Sequence, residues 1–172
     1  MLHIWYLNSM TKNKDTIKVH GFFRLQISEP NVKSMEKIAG DSGWVKNLVV
    51  NLGFQDYLCK GLAGASGAKT ITHIALGTGG APLAAETGLA GEIMSSTQRK
   101  TGSTSITSSK TLQFTAAFAS SDSFVTASVN LSNVGLFNTT STNATLFSGN
   151  TYTSSSCATN QNVNVTYQIQ FS

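Results

Sequence analysis

Charge is scarce in this chain of 172 residues: Lys, Arg, Asp and Glu together make up 12 % of it, about half the share found in ordinary globular chains. So little charge excludes a disordered polyelectrolyte. Cysteine is almost absent. Two residues, Cys59 and Cys157, exclude a disulfide-stapled miniprotein and a four-cysteine zinc module. With no secretory signal the two are expected reduced, although sequence leaves a bridge between them open. No apolar run reaches eighteen residues, so no membrane partner is expected. There is no internal repeat, no collagen-like triplet and no coiled-coil heptad.

What is present suits a packed core. Apolar residues make up 40 % and there are 15 glycines, at a length that fits one domain. The net charge of +4 is unevenly placed: nine of the twelve Lys and Arg precede residue 70, and residues 101–172 carry only Lys110 and Asp122. That last stretch holds 29 Ser or Thr in 72 positions, which makes it a polar but uncharged surface. The bases are dispersed and no nucleic-acid motif accompanies them. A solvated basic surface is therefore expected, and no nucleic-acid partner.

The first ten residues, MLHIWYLNSM, lack the basic start and the long apolar run of a secretory signal. Met10 is a second candidate start. Residues 1–16 read as a docking arm ahead of a single β-sandwich domain at 17–172, with a sub-boundary near 63–69. Ile4, Trp5 and Tyr6, with Lys12 and Lys14, are the expected partner-binding residues of the arm. Aromatic anchors commonly carry interface energy, and bases speed docking on an acidic surface.

Alternation organises the rest. Ile17, Val19, Phe23, Leu25 and Ile27 share one parity, which predicts a strand with one buried face. Glu29-Pro30-Asn31 reads as a turn, and residues 32–38 as a weaker strand returning antiparallel. Asn51 is the expected N-cap of one short helix that places Phe54, Tyr57, Leu58 and Leu62 on one face and ends at Gly61 or Gly64. Residues 70–76 are apolar on both parities and read as a strand buried on both sides. Residues 83–92 form an irregular excursion. Further strands are expected at 112–118, 125–131, from 134, at 146–147 and at 163–171. Residues 101–172 are expected to form an antiparallel sandwich of their own. The fold class is mainly β, an antiparallel sandwich or jelly-roll-like barrel. Edge-protecting charges are missing from the C-terminal third, so its edges are closed by the fold or covered by other chains.

No catalytic constellation is legible, and the chain is expected not to be an enzyme. His3, His20 and His73 stand on separate segments, so neither a metal nor another cofactor is expected. No nucleophile elbow occurs. Glu86 and Glu92 read as solvated surface acids rather than a glycosidase pair. Gly77-Thr78-Gly79-Gly80 is followed by no Lys-Ser/Thr and reads as a tight turn needing positive φ. The four Asn-x-Ser/Thr sequons, at Asn130, Asn138, Asn143 and Asn164, are what chance supplies in so polar a chain.

The order of several short motifs is more specific than any of them. Ile71-Thr72-His73-Ile74-Ala75-Leu76-Gly77-Thr78-Gly79, then Ala81-Pro82, then Glu86-Thr87-Gly88-Leu89-Ala90-Gly91-Glu92, resembles tailed-bacteriophage virion structural proteins. The alternating strand Leu112–Phe118, the element Val134-Gly135-Leu136-Phe137-Asn138 and the closing strand Val163–Phe171 follow in the same order. Gly21–Ile27 and Gly43-Trp44-Val45-Lys46-Asn47-Leu48-Val49 resemble the start of such proteins. The likeness covers about residues 17–171. It implies a part of the virion, either of the capsid-decoration and head-fibre type or of the tail-collar and tail-fibre type. Residue 172 directly follows the closing strand, which fits a compact decoration or cement protein better than a shaft. The implied partners are the major capsid protein or other virion proteins, and copies of the chain itself, a trimer among the expected forms. The alternative is a tail-fibre, tail-collar or carbohydrate-receptor-binding module, in which Trp5 or Trp44 would stack on a sugar ring.

Overall fold

The computed structural model describes residues 17–29, 37–93, 99–141 and 143–172. Among these, ten antiparallel strands make the body: β1 (Val19–Ser28), β2 (Ile38–Asp41), β3 (Val45–Val49), β4 (His73–Gly77), β5 (Lys100–Thr101), β6 (Ser103–Ser108), β7 (Thr111–Phe118), β8 (Val129–Phe137), β9 (Leu146–Cys157) and β10 (Asn162–Phe171). Hydrogen bonding runs β5-β4-β8-β9-β3-β1-β10-β7-β6, with β2 added to β1.

Two corner segments divide this path into two layers. β3 bonds to β1 through residues 45–47 and to β9 through residues 48–49. On the other side β5 bonds to β4 and β6 to β7, with only Gly102 between them. The Gly102 amide donates to Thr72 O at 2.9 Å. A Cβ there would lie 3.2 Å from the Thr115 carbonyl oxygen, so a residue without a side chain suits this crossing. The mainly-β expectation therefore holds, as a sandwich whose sheet is nearly closed.

The core lies between the layers. Phe23, Leu25, Val165 and Tyr167 from one layer meet Leu131, Val134, Leu136 and Phe147 from the other, all buried. Phe23 stacks on Tyr167 at 5.8 Å and meets Tyr152 edge-on at 5.9 Å. Each such side chain contributes about 1.5–3 kcal/mol by leaving water. β4 is buried on both sides, as its composition predicts. Its outer face is roofed by the 78–92 excursion, where Leu89 packs with Val50, Ala75, Phe137, Ala144 and Leu146.

Several expectations need correction. Residues 101–172 are not a sandwich alone: β10 pairs with β1 along its whole length, from Val19↔Phe171 to Ser28↔Asn162, and β8 pairs with β4. The strands expected at 125–131 and from 134 are one strand, β8. Between Leu131 and Asn133 the register shifts, with the extra residues on β9, and the core face of β8 passes from Leu131 to Val134 and Leu136, which interrupts the alternation. Val125 is buried in the loop ahead of it. The strand returning against β1 is β2, from Ile38 to Asp41, whereas the 30–36 part of the expected turn and strand lies outside the described residues.

The helix also differs. Gly53–Cys59 is π-helical and one α turn, Lys60–Leu62, follows. The wider turn buries Gly53, Asp56 and Tyr57 but leaves Phe54 44 % and Leu62 91 % exposed, so the expected apolar face is split. No side chain caps the start. Asn51 instead donates its backbone N–H to Ala84 O at 2.7 Å. Gly64, at φ +58°, lies just past the last turn, in the conformation of a C-terminal glycine.

Candidate functional site

The segment that carries the most distinctive sequence pattern, residues 71–92, is a clamped loop. The backbone of β4 continues into Thr78 and Gly79, whose amides donate to Gly91 O at 3.0 Å and Ala90 O at 3.1 Å. A Cβ on Gly79 would lie 2.3 Å from Ala90 O, and one on Gly77 2.3 Å from Asn133 Oδ1. These glycines thus permit close approach. The expected positive φ is at Gly91 instead, at +60°. Asn133, fully buried on β8, donates Nδ2 to Gly80 O at 3.0 Å and Ala90 O at 2.8 Å, tying the loop to the sheet.

At the loop's end Glu92 is not the solvated acid expected. Its side chain is 8 % exposed and that of Arg99 4 %. Arg99 donates Nε to Oε1 at 2.6 Å and Nη2 to Oε2 at 2.9 Å. Its Nη1 donates to Thr139 O and Ser141 O, and its Cζ lies 3.8 Å from the centroid of the Phe137 ring. Both charges are consumed in holding three segments together. Glu86 accepts the Leu83 amide at 3.1 Å, a local turn bond.

The other titratable groups are engaged likewise. Asp56 pairs with Lys60 at 2.7 Å and Lys69 at 3.0 Å, which hold its carboxyl below the usual range. Arg24 grips Asp41, and Lys100 pairs with Asp122 at 2.7 Å. With Lys37–Glu29 added, six bases have carboxylate partners. Burial and Arg99 lower the pKa of His73, whose ring nitrogens face Thr72 Oγ1 and Thr101 Oγ1. His20 is exposed beside Ser172. Both cysteines are free, and burial pushes Cys157 up to about 11, which keeps it a thiol. Among the described residues no three His, Cys, Asp or Glu gather to hold a metal ion.

Two surfaces remain as candidates for binding. The first is the outer face of β1, β10, β7 and β6. In register across it run Phe22, Gln168, Gln113 and Ser105, then Arg24, Thr166, Thr115 and Ser103. Gln168 donates to Gln113 at 3.1 Å and Gln170 to Gln168 at 3.3 Å. Gln26, Asn164 and Thr166 line a depression of about 480 Å³ on this face. Its one described charge pair is Arg24–Asp41. Trp44, 50 % exposed, stands one residue before the Val45↔Phe23 pair.

The second is an open seam at one end of the sandwich. Leu112 and Phe114 of β7, with Ile169 and Phe171 of β10, face inward there, opposite Leu58 and Ile71, around about 260 Å³. A contiguous hollow of about 400 Å³ continues over Thr104 and Ile106. Among the described residues β5 is two residues long against six in β6, so the described part of the opposite layer is the shorter. Ile106 is consequently 76 % exposed on an inward-facing position.

The expected partner-binding residues Ile4, Trp5, Tyr6, Lys12 and Lys14 lie outside the described residues, as does His3. The seam went unread because β6, Ser-Thr-Ser-Ile-Thr-Ser, has one apolar residue and no alternation to see. Asn133 and Arg99 carried no signal either, since both work through distant carbonyls. A scan of protein-family models and searches of curated proteins and of solved structures find no match to this chain.

Proposed function

We propose that this chain is a structural component of a tailed-bacteriophage particle, a decoration or cement protein on the outer surface of the head. One observation carries the reading. The sandwich nearly closes its own sheet yet presents, over four strands, a face mostly of amides and hydroxyls, with the ion pair Arg24–Asp41 on it and Lys46 at its edge beside Phe22. Such a face packs beside its own copies or a shell with little charge repulsion. Many copies at symmetry-related points then hold firmly through modest single contacts. The residues that resemble phage proteins, 71–92 and 134–138, act as framework here, since Gly77, Gly79 and Asn133 clamp the loop to the sheet. In this reading the arm, through Ile4, Trp5, Tyr6, Lys12 and Lys14, bridges to the major capsid protein or a neighbouring copy, and the chain performs no catalysis. Imaging particles that carry a labelled chain tests it. Density in a regular array on the head is expected; label confined to the tail, or absent from particles, overturns it.

Trp44 favours a second reading, a carbohydrate-receptor module of the tail. A half-exposed indole beside a field of amides and hydroxyls suits a sugar ring. Binding of a neutral polysaccharide that is lost in Trp44→Ala would support this reading over the first.

A further inference from the structure

The open seam is an unfinished part of the sandwich. Its lining is mostly apolar, with Leu112 and Phe171 on one side, Leu58 and Ile71 opposite and Ile106 at the rim, and it includes the polar Lys69, Thr70 and Thr104. Among the described residues the opposite layer ends at β5, and β6 bonds to β7 alone. A short apolar segment would complete both the packing and the hydrogen bonding.

We propose that the seam receives residues 2–7 (Leu-His-Ile-Trp-Tyr-Leu) of a second copy of this chain. The proposal rests on the assembly reading above and names the partner of the arm. The donor is placed by where β1 begins. Lys18 N–H donates to Ser172 O at 2.8 Å and Ser172 N–H to Lys18 O at 3.0 Å, so β1 and β10 stay paired to the last residue. Val19 lies opposite Phe171, which lines the seam. The chain before β1 therefore leaves from the same end of the molecule that is open. Ile17, two residues ahead of β1, is 79 % exposed.

The direction of that exit favours exchange. To fill its own seam, the arm would have to reverse within residues 8–16 (Asn-Ser-Met-Thr-Lys-Asn-Lys-Asp-Thr), whereas the seam of a copy facing the first takes it without a reversal. Extended, those nine residues span about 30 Å. That reaches the open end of a copy facing the first, where each copy can give one segment and take one. Five of the six residues offered are apolar or aromatic, which matches a lining of Leu, Ile and Phe.

The experiment uses the full chain. Its mass in solution is expected to be a multiple of 18.2 kDa. Ile106→Asp blocks the seam at a position already exposed, so the domain stays folded. Trp5→Asp with Ile4→Asp blocks the arm. Each blocked chain is expected as a monomer alone, and the two mixed are expected to form a one-to-one pair, since one keeps an arm and the other a seam. A Cys59→Ser chain carrying Ile4→Cys and Ile106→Cys should oxidise to a covalent oligomer. A cross-link within one chain, a monomeric full-length protein, or no pairing of the blocked chains overturns the proposal. A chain that exchanges segments in solution but is absent from particles leaves the proposal standing and overturns the virion reading. A monomer found on the head does the reverse.

Discussion

Single residues in the clamped loop have sharply different duties. Glu92 and Arg99 form a buried, two-point ion pair that also satisfies two backbone carbonyls. Removing one partner leaves a buried charge unmatched, which costs about 3–5 kcal/mol. Glu92→Ala is expected to lose that much in urea unfolding, and Glu92→Leu with Arg99→Met to recover part of it. A loss below about 1 kcal/mol for Glu92→Ala would refute this role. The neighbouring glycines separate just as clearly. Gly79→Ala drives a methyl against Ala90 O and is expected to lower the melting temperature, whereas Gly80→Ala meets nothing within 4 Å and should melt like the parent. Equal melting of the two variants would mean that close approach is not what position 79 requires. None of this was legible in the glycines as letters. The run Gly-Thr-Gly-Gly suggests a turn, and only the position of Ala90 and Asn133 across the loop tells a crowded glycine from a free one.

Among the elements, β10 has the plainest sequence and the most demanding neighbours. Val163, Val165, Tyr167 and Ile169 alternate with Asn164, Thr166, Gln168 and Gln170, and the buried face follows that parity. Its partners are β1 on one side, from the start of the chain, and β7 on the other, from beyond its middle. A fragment of residues 101–172 is therefore expected to lack a cooperative melt and the sharp near-ultraviolet dichroism of fixed aromatics. Adding a fragment of residues 1–100 should restore both. A cooperatively folded 101–172 fragment would show that the C-terminal strands suffice. β8 and the helical segment were harder to read for definite reasons. The core face of β8 changes parity between Leu131 and Val134, where its register with β9 shifts, and a π turn moves the face of the helix, so neither keeps the period on which pattern reading depends. β6 was invisible because a strand exposed on both faces needs no apolar alternation.

At the scale of the whole molecule, ion pairs staple the sandwich against acid. Asp56, Asp122 and Asp41 have folded pKa values below the ordinary 3.8 because Lys60, Lys100 and Arg24 bond them. Burial lowers His73 below 6.5, so its charged form is disfavoured in the fold. For the carboxylates the stabilisation is present above 3.8 and is lost as pH falls below it; for His73 the loss begins as pH falls through 6.5. The unfolding midpoint in urea is expected to decline first gently below about pH 6.5 and then steeply below about pH 4. A midpoint flat from pH 7 to pH 3 would contradict this. The arm enters at the same scale. In the proposed assembly a chain starting at Met10 folds normally but occupies particles less, and leaves them sooner in high salt. Equal occupancy with and without the arm would exclude a role for it.

From the sequence by itself came the class of fold, the parity of β1, β7 and β10, the double burial of β4 and the uncharged outer face. Each of these is periodic or compositional, and period and composition survive without coordinates. Only the tertiary structure decided how the sheet nearly closes, through β3 and Gly102, and how Glu92 finds Arg99 under the Phe137 ring. It alone revealed that the described layer opposite β6 is the shorter and leaves Ile106 facing an open seam. Apart from the Glu92–Arg99 bond itself, seven residues apart, those features join residues far apart in the chain, and a contact between distant residues leaves no period for a linear reading to detect.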